Sequence, residues 1–306
     1  MYILSIVNES VLEAVKENNI EKLKTLLQKL NKYTIDLIVS DKDNRGKYPF
    51  YESVNKNNIE MTKIILYYAK KNNYVLNINE KIKSGESPFL IAVAKNNVKM
   101  AQLIIDYANK NNIVLNLNDK FKSGDFPLLI AVNKNNTEMT QLIIYYALKN
   151  NVLLNMNDKN VFGWNPLLLS ASNNNIKTTQ SIINYASKNK IILNLNDKNG
   201  SGWTAFFASV YVNNIKITRL IMDYASKNSI ILNINDRDNF GKFPFLLSVE
   251  YGNIELAQLI MDYADRNHIL LNFYTYPHLI ATKNNNKEMT QLIIDYVNKH
   301  SITNDY

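Results

Sequence analysis

Gly46, Gly85, Gly124, Gly163, Gly202 and Gly241 follow one another at a constant spacing of 39 residues. Pro49, Pro88, Pro127, Pro166 and Pro244 come three positions after the glycines, with Ala205 filling the one gap, and Pro277 completes the column. A period held along a whole chain constrains the fold more than any single residue. Each unit can bury its apolar face only against its neighbours, so the units stack into a solenoid. Length alone, 306 residues, would suggest two domains, and the repeat overrides that prior.

One unit, Asp119 to Asn157, shows what is stacked. Asp119 to Phe126 is polar and turn-like. Pro127 then opens a short apolar helix, since its fixed φ is already helical and its missing N–H would be unpaired there. Asn135 and Asn136 are expected to close that helix, asparagine being the usual substitute for glycine in left-handed backbone. A second helix follows with Met139, Leu142, Ile143 and Tyr146 on one face. Val152 to Met156 returns the chain to the next turn. Two further columns recur: a small residue four beyond the proline (Ser53, Ala92, Ala131, Ser170, Ser209, Ser248, Ala281), and a tyrosine on the buried face of helix two (Tyr68, Tyr107, Tyr146, Tyr185, Tyr224, Tyr263, Tyr296).

Composition narrows the class. There are no cysteines, which removes disulfides and thiolate metal sites and fits a reducing compartment. The first ten residues have neither the basic leader nor the apolar run of a secretory signal. No stretch approaches the ~20 apolar residues of a membrane span. A soluble, cytoplasmic chain is expected, with a nuclear location left open. The net charge of +8 has a local explanation in part. Lys71, Lys110, Lys149, Lys188, Lys227, Arg266 and Lys299 recur at the end of helix two, where a cation complements the helix dipole.

The pattern resembles the ankyrin repeat. The resemblance rests on Asp119, Gly124, Pro127–Leu128, Ala131, Asn135 and the Leu142–Ile143 pair, with Gly252 matching the family's inter-helix glycine. It implies an all-α, ankyrin-type helix-turn-helix solenoid of about eight stacked helix pairs with extended turns between units. It reads as one domain over residues 1–306: an N-terminal capping unit at 1–40, six repeats over 41–271 and a shortened C-terminal cap at 272–306. This sequence departs from the family at several places. The threonine before proline is Tyr48, Ser87, Phe126, Asn165, Thr204, Phe243 and Tyr276, of which only Ser87, Asn165 and Thr204 can cap the helix through a side-chain oxygen. The family's histidine is replaced, as at Leu90, Leu129, Leu168 and Phe207, so apolar packing must stand in for its hydrogen bonds. The longer period is expected to lengthen the second helix and the turn. Ser301 to Tyr306 is expected to fray.

No catalytic constellation stands out, so no enzyme activity and no cofactor are expected. His268, His278 and His300 are the only histidines and lack metal-ligand spacing. Gly200-Ser201-Gly202 lacks the rest of a dinucleotide fingerprint. The positions that vary between units are more informative, because repeated columns hold the fold and variable exposed ones are free to bind. The resemblance places the family's concave contact surface at the residue after the turn glycine and at the sixth and seventh residues beyond the proline. The first column reads Lys47, Glu86, Asp125, Trp164, Trp203, Lys242; the second includes Tyr211 and Glu250; the third includes Lys56, Lys95, Lys134 and Tyr251. Two zones result, a lysine ladder (Lys56, Lys95, Lys134) and an aromatic zone (Trp164, Trp203, Tyr211, Tyr251). The alternative for the tryptophans is that both indoles fold down over the turns. Phe121, Phe162 and Phe240 are expected to pack turn against turn. The leading expectation is a non-catalytic protein-interaction scaffold binding an acidic segment of another protein, acting as a monomer and away from membranes. One alternative is a binder of nucleic acid or another acidic surface through the lysine columns, which Glu86, Asp125 and the turn acids disfavour. Another is a member of a paralogous set without a strong partner.

Overall fold

A computed structural model describes residues 11–29, 42–273 and 277–300. The leader reading, parts of both expected caps, Tyr276 and the expected frayed end lie outside the described residues. Among these residues the chain forms sixteen helices and no strand, with 56% of it helical. It divides into two units, Met1–Asn155 and Met156–Tyr306. The first contains α1 (11–16), α2 (Ile20–Gln28), α3 (Pro49–Asn55), α4 (Ile59–Lys71), α5 (Pro88–Ala94), α6 (Val98–Lys110), α7 (Pro127–Asn133) and α8 (Thr137–Lys149). The second contains α9 (Pro166–Ser172), α10 (Ile176–Lys188), α11 (Ala205–Tyr211), α12 (Ile215–Lys227), α13 (Pro244–Glu250), α14 (Ile254–Arg266), α15 (Pro277–Lys283) and α16 (Lys287–Lys299). Within each unit, a first helix packs against its own second helix and against the first helix of the next repeat.

The short first helices show how packing and capping trade against each other. Ser87, Asn165 and Thr204 accept the N–H of Leu90, Leu168 and Phe207 at 3.4, 2.9 and 3.1 Å, as their chemistry requires. Tyr48, Phe126 and Phe243 make no side-chain cap, and their rings are buried. A lost cap costs about 1 kcal/mol, while burying a large apolar side chain contributes about 1.5–3 kcal/mol. Burial of the ring therefore outweighs the cap it replaces. Leu90, Leu129, Leu168 and Phe207, two positions after the start of each of these helices, are likewise buried.

Asparagine does more than close helices. Asn135 takes the left-handed conformation (φ +51°), as expected, but Asn136 belongs to the following helix. Its side-chain oxygen caps α8 by accepting the Met139 N–H at 2.8 Å. Its amide nitrogen donates to Asn96 of the preceding repeat at 2.7 Å. The same link joins Asn58 to Asn18 and Asn97 to Asn57 in the first unit, and Asn214 to Asn174 and Asn253 to Asn213 in the second. A second asparagine column clamps the return segments. Asn196, for example, donates to the Ile231 carbonyl at 2.8 Å and accepts the Asn233 N–H at 3.0 Å. Asn79, Asn118, Asn157 and Asn235 do the same in their own repeats. A side-chain amide thus supplies the donor–acceptor pair that a neighbouring strand would otherwise offer.

The second helices bury Met139, Thr140, Ile143, Ile144, Tyr146 and Ala147 in the α8 example. Leu142 is only half-buried, because the stripe turned inward is centred one position later than the leucine pair suggests. The tyrosine column is buried apart from Tyr68, and it is also bonded. Tyr107, Tyr146, Tyr224 and Tyr263 accept the backbone N–H of Leu76, Leu115, Leu193 and Leu232, each 31 residues earlier, at 2.8 to 3.2 Å. Tyr224 also donates to the Ile191 carbonyl at 2.7 Å. Every such hydroxyl fastens its helix to the preceding repeat.

Burial pushes these phenols above their ordinary value of 10.0. An acid whose folded pKa is raised stabilises the fold fully below the unfolded pKa, and the contribution disappears as pH rises through the folded value. Resistance to urea is therefore expected to hold near about pH 8 and to fall steadily above about pH 10. Tyr224→Phe strands the buried Leu193 N–H and is expected to cost about 1–3 kcal/mol at neutral pH. It is also expected to make the alkaline decline shallower. Urea titrations followed by circular dichroism across that range check both effects.

Candidate partner-binding faces

The turns position the contact columns. Asn160 Oδ1 accepts the N–H groups of Phe162 and Trp164, both at 3.1 Å. Asn199 Oδ1 accepts those of Ser201 and Trp203 at 2.9 and 3.0 Å. Asp43 and Asp238 hold their turns the same way. Burial pushes the Asp43 carboxyl up, but the Lys47 and Arg45 N–H groups and the Lys16 ammonium outweigh it and hold it below the usual carboxylate value. Neighbouring turns are then locked together, with Gly200 N–H donating to the Phe162 carbonyl at 2.9 Å and Asn239 N–H to the Ser201 carbonyl at 3.1 Å. Lys47, Trp164, Trp203 and Lys242, each the residue after a turn glycine, are thereby held in place, whereas Ile82 and Phe121 offer Glu86 and Asp125 no such acceptor.

In the second unit this arrangement assembles the aromatic zone. Trp164 and Trp203 meet edge to face, with ring centroids 6.5 Å apart and planes at 87°. Trp203 lies against Phe207 at 5.6 Å and Tyr211 at 4.3 Å. The Tyr251 hydroxyl donates to the Tyr211 carbonyl at 3.0 Å and joins the next repeat to the cluster. Both indoles are half-buried, while Tyr211 and Tyr251 are 43% and 42% exposed. Trp203 covers the buried Phe207 and so belongs partly to the core, while the cluster around it keeps open surface. Trp203 Nε1 and Asn199 Nδ2 are buried without a hydrogen-bond partner. A buried donor left unpaired costs about 1–3 kcal/mol, a cost native structures rarely carry. An ion pair between Lys242 and Glu250 borders the zone.

In the first unit Lys56, Lys95 and Lys134 stand at the C-caps of α3, α5 and α7, all exposed. Among the described residues none of the three is in an ion pair. The nearby acids are engaged: Glu86 accepts the Tyr51 hydroxyl at 2.9 Å and Asp125 the Ser123 hydroxyl at 2.7 Å. The turn lysines behave differently. Lys81 reaches Asp119 at 2.6 Å, Lys159 reaches Asp197 at 3.4 Å and Lys198 reaches Asp236 at 3.1 Å, each in the next repeat, and Lys42 pairs with Glu80 in the same way. Part of the formal positive charge is therefore neutralised between turns.

Phe162 and Phe240 correct the expectation of turn-to-turn packing. They are 65% and 86% exposed, while Phe121 is half-buried. Phe162 and Phe240 directly precede the turn glycine, a position held elsewhere by Arg45, Ser84, Ser123 and Ser201. The polarity of that column was the available sign that the tip faces solvent. Val161, beside Phe162, is 67% exposed and extends the same apolar tip.

No family model and no curated protein matches this chain. Its site is therefore read from its own side chains. Among the described residues no three His, Asp or Glu side chains come together as a metal site. Among them, too, no helix is long and apolar enough to cross a membrane.

Proposed function

We propose that the chain is an ankyrin-type solenoid that serves as a non-catalytic scaffold and binds another protein on its concave face. The observation that carries this reading is the cluster of Trp164, Trp203, Tyr211 and Tyr251. Tryptophan and tyrosine dominate interface hot spots because they offer large, stiff contact area with a polar handle. This cluster combines half-buried indoles, which are held in place, with exposed phenols, which a partner can reach. The exposed Phe162 and Phe240 tips extend the apolar surface of the same unit. Lys56, Lys95 and Lys134 favour an acidic partner segment at the first unit. The ankyrin assignment is supported by paired helices of 7 and 13 residues, proline at the first helical position and a left-handed residue between the two helices.

Affinity capture with the intact chain and with Trp164→Ala, Trp203→Ala and Tyr251→Ala tests the assignment. Each variant is expected to recover at least ~10-fold less partner while its circular dichroism stays native, since hot-spot truncation costs about 2 kcal/mol or more. Undiminished recovery by folded variants would remove the aromatic zone from the binding face. A nucleic-acid reading has the unpaired lysine ladder in its favour. It requires a steep loss of affinity with salt, a log–log slope of about 0.9 per phosphate contacted. The ion-paired turn lysines speak against it.

A further inference from the structure

The furrow between α4 and α6, on the exposed side of the second helices of the first unit, departs from the repeat. It encloses about 610 Å³, within the range of ligand-binding clefts. Its floor is Leu66 and Leu103, and Tyr67, 60% exposed, forms a wall. Lys63, Lys70 and Lys110 line it, all exposed and, among the described residues, none in an ion pair. Lys110 belongs to the column that complements the helix dipole; Lys63 has a counterpart one repeat earlier in Lys24, which Glu21 and Glu60 pair, and Lys70 belongs to no repeated column. The places of Lys63 and Lys70 are taken by Gln102 and Asn109 one repeat on, and by Gln180 and Ser187 in α10. Arg219, the one cation at Lys63's place in a later repeat, is neutralised by Glu255 at 3.1 Å. Folding the repeat requires no open cations at these two places, so Lys63 and Lys70 need another explanation.

We propose that this furrow is a second docking site, built for an extended acidic segment of a partner protein that carries an apolar side chain between two carboxylates. Lys63 and Lys70 are seven residues apart on one helix, about 10.5 Å along its axis. Two acidic residues three apart in an extended polyproline II segment share one face and stand about 9 Å apart. The intervening side chain then lies on Leu66 and Leu103 beside the Tyr67 ring. A continuous polyanion fits poorly, because the charge ends after one furrow. Asp106 also lines this furrow, held by the Gln102 amide at 2.8 Å, so a phosphate backbone running its length would meet a carboxylate. The site shares no residue with the aromatic zone and does not depend on the scaffold reading.

Fluorescence anisotropy with the full chain tests it, using a labelled, end-capped peptide with a Glu-Leu-Phe-Glu core. The peptide is expected to bind, and its Gln-Leu-Phe-Gln counterpart to bind at least ~10-fold more weakly. The double variant Lys63→Glu, Lys70→Glu, both exposed, is expected to lower affinity at least ~10-fold, whereas Lys177→Glu, at an exposed lysine outside both sites, leaves it unchanged. Absence of binding, or equal binding of the two peptides, would overturn the proposal. So would phosphatidylserine vesicles or single-stranded DNA binding more tightly than the peptide through the same lysines.

Discussion

Gly163→Ala is expected to destabilise the second unit by about 2–5 kcal/mol, against about 1–2 kcal/mol for Gly241→Ala. Both glycines have left-handed backbone, at φ +80° and +79°, so both substitutions carry the same intrinsic strain. Their surroundings differ. A Cβ at Gly163 would stand 2.7 Å from Asn199 Cα and 3.2 Å from Gly200 N, whereas at Gly241 nothing lies within 4 Å. The obstacle at Gly163 is backbone, and that backbone is already tied to Phe162 by the Gly200 N–H bond at 2.9 Å. Neither turn can yield without breaking the link between repeats. The chain's two tryptophans lie in these adjacent turns. Their emission during urea unfolding reports on the affected region, and equal midpoints for the two variants would contradict the account.

Phe207→Ala is expected to have the second large effect, about 3–5 kcal/mol, because its ring is 1% exposed and its loss leaves a cavity. It also removes the floor on which Trp203 rests, 5.6 Å away. Trp203 emission should therefore shift to longer wavelength under native conditions, and partner capture should fall with it. Phe207→Leu separates the two roles. It retains most of the buried volume and is expected to cost less than about 1.5 kcal/mol. It still withdraws the aromatic contact under the indole. A native-like midpoint with weakened partner capture is the expected pattern, read by parallel urea titration and affinity capture.

How far these features could be read in the sequence depended on whether their cause was local. Proline at the first helical position, and caps at Ser87, Asn165 and Thr204 but not at Phe126, follow from the residue alone. The edge-to-face pair of Trp164 and Trp203 was legible as neighbouring positions in one column, because the period converts sequence distance into spatial proximity. The partners that lie one repeat away were harder. Lys81 finds Asp119 38 residues on, and Tyr224 finds the Leu193 N–H 31 residues back. Neither offset is the repeat length, so aligning identical columns does not reveal them. Asn136 was read as ending a helix when it begins one, because a doublet of asparagines gives no sign of which member turns left-handed and which caps. The α4–α6 furrow was missed for a different reason. Lys63 and Tyr67 lie on the second helix, outside the columns from which a binding face was expected.

The claim that repeated columns hold the fold while the exceptional aromatic columns bind is tested most directly by site-specific photo-crosslinking. A photoreactive phenylalanine is placed at Tyr211, at Tyr251 or, as a control on an exposed second-helix position, at Gln258. Tyr211 and Tyr251 are expected to yield the same crosslinked partner, and Gln258 none of it. Capture of that partner from Gln258 with none from Tyr211 or Tyr251 would contradict the account.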